Sequence, residues 1–313
     1  MFTSRRALLA LATPALARES RPLTFVVPFP AGSLTDNTIR ALAQQVQDLL
    51  GQVVLVDNRP GAQGTVAAAQ VARAAPDGHT LLAASSVMFV AGSLIRNLAY
   101  DPVAAFTPVA GVSATSFMFM VRTASPIRDL AEMTAQARRA EPPLSIGFGS
   151  GTGQVLVALF ATVSGSQPTA VAYRGIPQAM TDLIAGHVEV AVVDISTGMA
   201  QIRAGQARAL AVSSARRSPL TPESPVLQES FPAADASLET IIALVGPARM
   251  APDVVQRLDH AVQVALQRPA LRERFDMLSA AVLSLSAAAL EARIRTDNVK
   301  WEALIRQAGI QPE

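Results

Sequence analysis

The chain of 313 residues is 50% apolar and only 16% charged, too hydrophobic for a disordered polymer and long enough for two domains of ordinary size. Its 26 basic and 24 acidic residues nearly balance and no Lys/Arg run exceeds two, so a nucleic-acid-binding surface is not supported. It has no cysteine, which removes disulfides, thiolate nucleophiles, zinc–cysteine sites and iron–sulfur clusters, and His79, His187 and His260 stand in no metal-ligand spacing.

Arg5-Arg6, the apolar stretch 7–15 and Ala15-Leu16-Ala17 have the form of a secretory signal peptide, residues 1–17, cleaved near Ala17. The stretch is too short for a membrane span, and the paired arginines leave general and twin-arginine export both open. No later segment has the look of a span, so the mature chain is expected to be exported and soluble.

Strands and helices then alternate. Residues 23–28 form a short apolar run, the mark of a strand buried on both faces. Residues 35–50 read as a helix with Ile39, Leu42, Ala43, Val46 and Leu50 on one stripe, ended by Gly51. A strand at 53–56, an alanine-rich helix at 63–75 and a strand at 80–84 complete a βαβ pattern, which predicts parallel sheet. Further strands are predicted at 117–121, 145–148, 170–172, 188–193, 209–213 and 240–245. The intervening helices are predicted at 129–140, 152–164, 177–185 and 199–204. Residues 215–238, with several prolines, read as a loop, and helices close the chain at 254–266, 271–277 and 287–307.

In open α/β sheets, ligands bind beyond the carboxyl ends of the strands. Two such ends are rich in small residues: Pro28-Phe29-Pro30-Ala31-Gly32-Ser33-Leu34-Thr35-Asp36 and Gly147-Phe148-Gly149-Ser150-Gly151-Thr152-Gly153-Gln154. Each precedes a helix, whose free first-turn amides and positive dipole end suit an anion; each could equally serve only to cap and turn the chain. Neither is a phosphate-binding loop, and Ser150 is not in a nucleophile elbow. Two cradles far apart in sequence suggest two domains facing one ligand.

These segments belong to a longer ordered set: Val27-Pro28-Phe29-Pro30-Ala31-Gly32 with Thr35-Asp36, Leu50-Gly51-Gln52, Val56-Asp57-Asn58-Arg59-Pro60-Gly61-Ala62, Ala75-Pro76-Asp77-Gly78-His79-Thr80, Tyr100-Asp101-Pro102, Tyr173-Arg174-Gly175, Thr181-Asp182-Leu183, Arg208-Ala209-Leu210-Ala211-Val212 and Lys300-Trp301. Through them the chain resembles, from about residue 21 to its end, the Bug/TctC family of periplasmic solute-binding proteins, the receptors of tripartite tricarboxylate transporters. The resemblance implies an α/β, type II, two-domain Venus-flytrap fold with open, mostly parallel sheets. The expected division is 18–122 with 244–313 for the first domain and 123–243 for the second, hinged near 122–125 and 238–245. It implies a carboxylate ligand, membrane permease subunits or a sensor kinase as partner, a periplasmic location, a monomer, and no cofactor or metal.

By that resemblance the first carboxylate loop is Ala31, Gly32, Ser33, Leu34, Thr35 and Asp36, with Thr35 either donating its hydroxyl or capping the helix. Ser85 and Ser86 would face the cleft or merely turn the chain. The second loop is Ser150, Gly151, Thr152 and Gly153. Asp194 would meet a ligand amino group or a water, or cap a helix, and Arg174 would sit at the rim or on the surface. The family's glycine is replaced by Leu34, which either points away or fills ligand space and would then favour a smaller or more apolar carboxylate than citrate. Gln154 lies where members often carry histidine nearby, and Ile241-Ile242 where they carry tryptophan. The alternative function is a ligand-sensing receptor feeding a two-component sensor; an exported hydrolase is a third class, for which no Ser/His/Asp arrangement is evident.

Overall fold

The computed structural model describes residues 21–139, 141–217, 221–232 and 236–312; the expected signal peptide lies outside them. In chain order the elements are β1 (Leu23–Val27), α1 (Leu34–Leu50), β2 (Val54–Asn58), a 3-10 turn (Ala62–Gly64), α2 (Thr65–Ala72), β3 (Thr80–Ser85), a 3-10 segment (Ser86–Ser93), β4 (Phe106–Arg122), α3 (Leu130–Ala137) and β5 (Ser145–Phe148). There follow α4 (Gly151–Ser164), β6 (Thr169–Ala172), α5 (Ile176–Ala185), β7 (Val190–Asp194), α6 (Ile195–Arg203), β8 (Ala207–Val212), α7 (Leu227–Ser230), β9 (Glu239–Pro247), α8 (Pro252–Gln267), α9 (Pro269–Met277), β10 (Ala281–Leu285) and α10 (Ala287–Gln307).

The strands run in the order β2-β1-β3-β9-β4-β7-β5-β6, with β10 and β8 also paired to β4. The wings are parallel: β1 lies between β2 and β3, and β5 between β6 and β7. The centre is antiparallel, where β9 joins β3 to β4 and β4 takes β7, β8 and β10. β4 is the hub. Its residues from Phe106 to Ser116 pair with β9, and those from Phe117 to Arg122 pair with β7 and β8. At about 3.3 Å per residue this strand is roughly 55 Å long, enough to serve both wings.

The first half of β4 was not expected from the sequence, and neither was β10. Register shifts between Pro108 and Ala110 and between Gly111 and Ser113 break the alternation that marks a strand. Pro108, which cannot donate to a ladder, is tolerated at such an irregularity. Gly111 lets β10 approach: a Cβ there would lie 2.8 Å from Leu285 Cβ.

Alternation assigns each strand to two cores. Val26, Leu82, Ala84, Phe117, Phe119, Val121, Ile241 and Ala243 face one apolar layer that runs under both wings. Phe25, Val27, Leu81, Ala83, Ile242 and Leu244 face a second layer with α1, α8 and α9, and Met118 and Met120 face a third with α5 and α6. Leu290, Ile294, Trp301, Leu304 and Ile305 of α10 fill the shared layer, so the C-terminal helix spans the junction.

Trp301 is buried at 2% exposure in that shared layer. Trp301→Ala should therefore lower unfolding stability by about 3–5 kcal/mol, read from urea denaturation; a change within experimental error would show that α10 does not hold the two wings together.

Candidate functional site

The carboxyl ends of β1, β3, β5, β6 and β7 converge on one cavity beside the middle of β4 and the start of β9. Its walls are Phe29, Pro30, Ser33, Leu34 and Thr35 from the β1–α1 turn, Ser85, Thr115, Phe117, Thr240 and Ile242 from the central strands, and Gly149, Ser150, Thr152, Gly175, Ile176 and Asp194 from the other wing. About 50 Å³ is open to the centre of a water molecule, room for roughly three or four waters. No Lys, Arg or His stands among the lining residues.

Four helices begin at this cavity. Ser33 caps α1, its hydroxyl accepting from the Asp36 amide at 3.3 Å, and Ser150 caps α4, accepting from the Gly153 amide at 3.1 Å. Gly175 precedes α5 and offers no side-chain cap. The first amides of a helix have no intrahelical acceptor, so those of Leu34, Thr35, Gly151, Thr152 and Ile176 remain as donors. α6 differs. Asp194 fills its own helix start, with Oδ1 accepting from the Thr197 amide at 2.9 Å and Oδ2 from the Thr197 hydroxyl at 3.0 Å. Burial pushes the Asp194 carboxyl above its ordinary pKa against these bonds.

Seven of the residues expected at the site line the cavity: Ser33, Leu34, Thr35, Ser85, Ser150, Thr152 and Asp194. Ala31, Gly32, Asp36, Ser86, Gly151 and Gly153 are not among its lining residues. Asp36 braces the first loop. Its Oδ2 accepts from the Gly32 amide at 2.8 Å, and its Oδ1 from Asn58 Nδ2 at 2.9 Å and Arg40 Nε at 2.9 Å. Gly32 sits at φ +81°, a conformation a side chain would strain. Ser86 is tied to β9, its hydroxyl accepting from the Ile241 amide at 3.0 Å. Ser85 Oγ, by contrast, is buried with no hydrogen-bond partner among the described residues.

Leu34 does both things its position allowed. It packs into the α1 core and also lines the cavity. Arg174 is exposed and outside the lining. The two cradle segments contain Phe29, Pro30 and Gly149, which also line the cavity, while sequence reasoning missed Thr115, Phe117, Gly175, Ile176, Thr240 and Ile242. The Gly175-Ile176-Pro177 start of α5 carried a signal, a glycine followed by a proline at the first turn. The residues of β4 and β9 carried none, because their place depends on strand pairing.

Burial alone would raise the Asp36 pKa, but the bonds from Arg40, Gly32 and Asn58 outweigh it and hold the carboxyl below the ordinary 3.8. Its contribution to stability is thus complete well above pH 3.8 and is lost as the pH falls through the lowered folded-state value. Asp36→Asn should cost about 1–3 kcal/mol at neutral pH and should lose less stability than the parent chain below pH 3.8. Equal acid sensitivity in urea titrations would contradict the bracing role.

Residues 38–310 match the family described as "Tripartite tricarboxylate transporter family receptor", TctC. Among solved structures, the periplasmic binding protein BugD is 29% identical with a TM-score of 0.87, over 94% of this chain and 99% of BugD. MatC from Rhodopseudomonas palustris, solved with malate, is 28% identical with a TM-score of 0.85, over 91% of this chain and 99% of MatC. A further R. palustris protein, solved with adipate, is 27% identical with a TM-score of 0.88, over 94% of this chain and 99% of that one. The α/β fold with its mixed sheet is that of these periplasmic binding proteins, and the chain belongs to the TctC family of solute-binding receptors.

Proposed function

We propose that this protein is exported, loses its signal peptide near Ala17, and captures a small carboxylate in the cleft for delivery to the permease of a tripartite tricarboxylate-type transporter. The observation that carries the ligand class is the pairing of free helix-start amides with an unpartnered buried hydroxyl, Ser85 Oγ, around one cavity. A carboxylate there accepts from several backbone N–H groups and one hydroxyl, and the positive ends of α1, α4 and α5 offset its charge. The bound malate and adipate of two relatives support the same class.

The two lobes we propose divide where β4 changes partners, between Ser116 and Phe117, and just before β9 at residue 239; the sequence-based division stood at 122/123 and 243/244. The cavity lies between them. Its walls are mostly buried, so a ligand enters only when the lobes part, and closure around it follows from its stronger binding to the closed form.

Phe29, Leu34, Phe117, Ile176 and Ile242 supply an apolar wall. It favours a short acid with an apolar segment over one as heavily charged as citrate. Against a panel of succinate, malate, adipate, citrate, glutamate and benzoate, residues 18–313 should melt higher with a short-chain acid. At 100 times the dissociation constant the gain is about 2.7 kcal/mol, a rise of about 4–5 °C for a chain of this size. Ser85→Ala should weaken that ligand about 10–100-fold, and Leu34→Gly should improve citrate binding relative to it. No shift with any carboxylate would overturn the ligand class, and unchanged preference in Leu34→Gly would remove Leu34 as its determinant.

A further inference from the structure

Beside the cavity the lobes also meet at Gln63–Gln154 and at Pro30–Gly175, and the first of these is a specific bond. Gln63 follows β2 in the first lobe, and Gln154 lies in the first turn of α4 in the second. Gln63 Nε2 donates to Gln154 Oε1 at 2.7 Å. Neither residue lines the ligand cavity; both open onto a groove on another side of the molecule.

The surroundings are shaped to this contact. Gln63 is held at φ 55°, in the left-handed region, between Gly61 and Gly64. This is an uncommon and mildly strained conformation for a side-chain-bearing residue. Across the cleft, Gly151 makes room: a Cβ there would lie 2.7 Å from Gln63 Oε1 and 3.0 Å from Val87 Cγ2. The second contact is apolar. Pro30 of the first lobe rests on Gly175 of the second, where a Cβ would come within 3.0 Å of Pro30 Cγ. Of these two contacts the Gln63–Gln154 pair is the directional one; α10 of the first lobe makes another directional bond to the second, Lys300 Nζ donating to Ser237 Oγ at 2.9 Å.

We propose that Gln63 and Gln154 form a clasp that stabilises the closed conformer without touching the ligand, and that they thereby set how long a bound carboxylate is retained. The clasp rests on the two-lobed receptor reading above. A net neutral hydrogen bond formed only in the closed state shifts the closed-to-open ratio about fivefold. Because the cleft releases its ligand only on opening, the dissociation rate should rise in step when the clasp is removed, while the association rate stays near that of the parent chain. Gln63 and Gln154 are positioning residues on this account.

The absence of native cysteine permits a direct test on ligand-free protein. Spin labels placed through Ala131→Cys on α3 and Arg257→Cys on α8, both exposed positions, report the distance between the lobes by double electron–electron resonance. The parent should populate the distance of the closed structure. Gln63→Leu and Gln154→Leu should each move the population about fivefold toward a longer distance, and the double variant no further than either single one, since one bond is lost in all three. Two variants on different elements guard against local misfolding of either, and circular dichroism melts should stay close to the parent's. Two distances in the parent whose ratio neither variant alters would overturn the clasp and leave lobe motion intact. A single unchanged distance in every protein would overturn both the clasp and the closing receptor.

Discussion

A carboxylate taken into a protein interior loses its hydration, at a cost of several kcal/mol unless donors replace the water, and in the proposed function the replacement here is backbone. Among the described residues, no cationic side chain lines the cavity. The nearest arginine tied to the site, Arg40, is committed to Asp36 and Asn58. In the proposed function, recognition comes from amides at the starts of α1, α4 and α5, with Ser85 as the hydroxyl. This makes the geometry of the turns that present those amides the decisive quantity. Asp36, Asn58 and Arg40 fix the first turn, Ser150 the second, and the close approach of Gly149 to Gly175, where a Cβ would meet backbone at 2.1 Å, fixes the second against the third.

Sheet topology brings these turns together. Parallel strands place every helix start at the same edge of a wing. β4 and β9 then set the two wings edge to edge, and the single apolar layer filled by α10 keeps them in one piece. The other face is split into two separate cores. In the proposed receptor the wings would hinge about the shared strands β4 and β9, on the side where the cores are separate. The ligand cleft and the Gln63–Gln154 bond both lie where the wings approach each other.

Much of this was legible in residues. Periodicity located α1, α4, α5, α8 and α10, and the runs at 23–28, 80–84 and 145–148 located strands of the wings. The two small-residue loops announced the cradles because cap residues and glycines are local signals. The centre of the sheet was less legible. Bulges at Pro108 and Gly111 hid half of β4, and β10 is short and half-exposed. The difference between a residue that lines the cavity and one that braces it was also hidden. Asp36 and Ser33 are neighbours in one motif, yet one supports the loop through Asn58 on β2 and the other faces the cavity. That division depends on contacts between residues distant in sequence.

The central claim is that backbone amides, rather than charged side chains, hold the ligand. The most direct test is an amide-resolved NMR titration of residues 18–313 with the carboxylate that most raises the melting temperature. Large downfield proton shifts are expected at Leu34, Thr35, Gly151, Thr152 and Ile176 together, with the arginine side-chain signals unmoved. Shifts confined to arginine side chains, or to one cradle with the other silent, would contradict it.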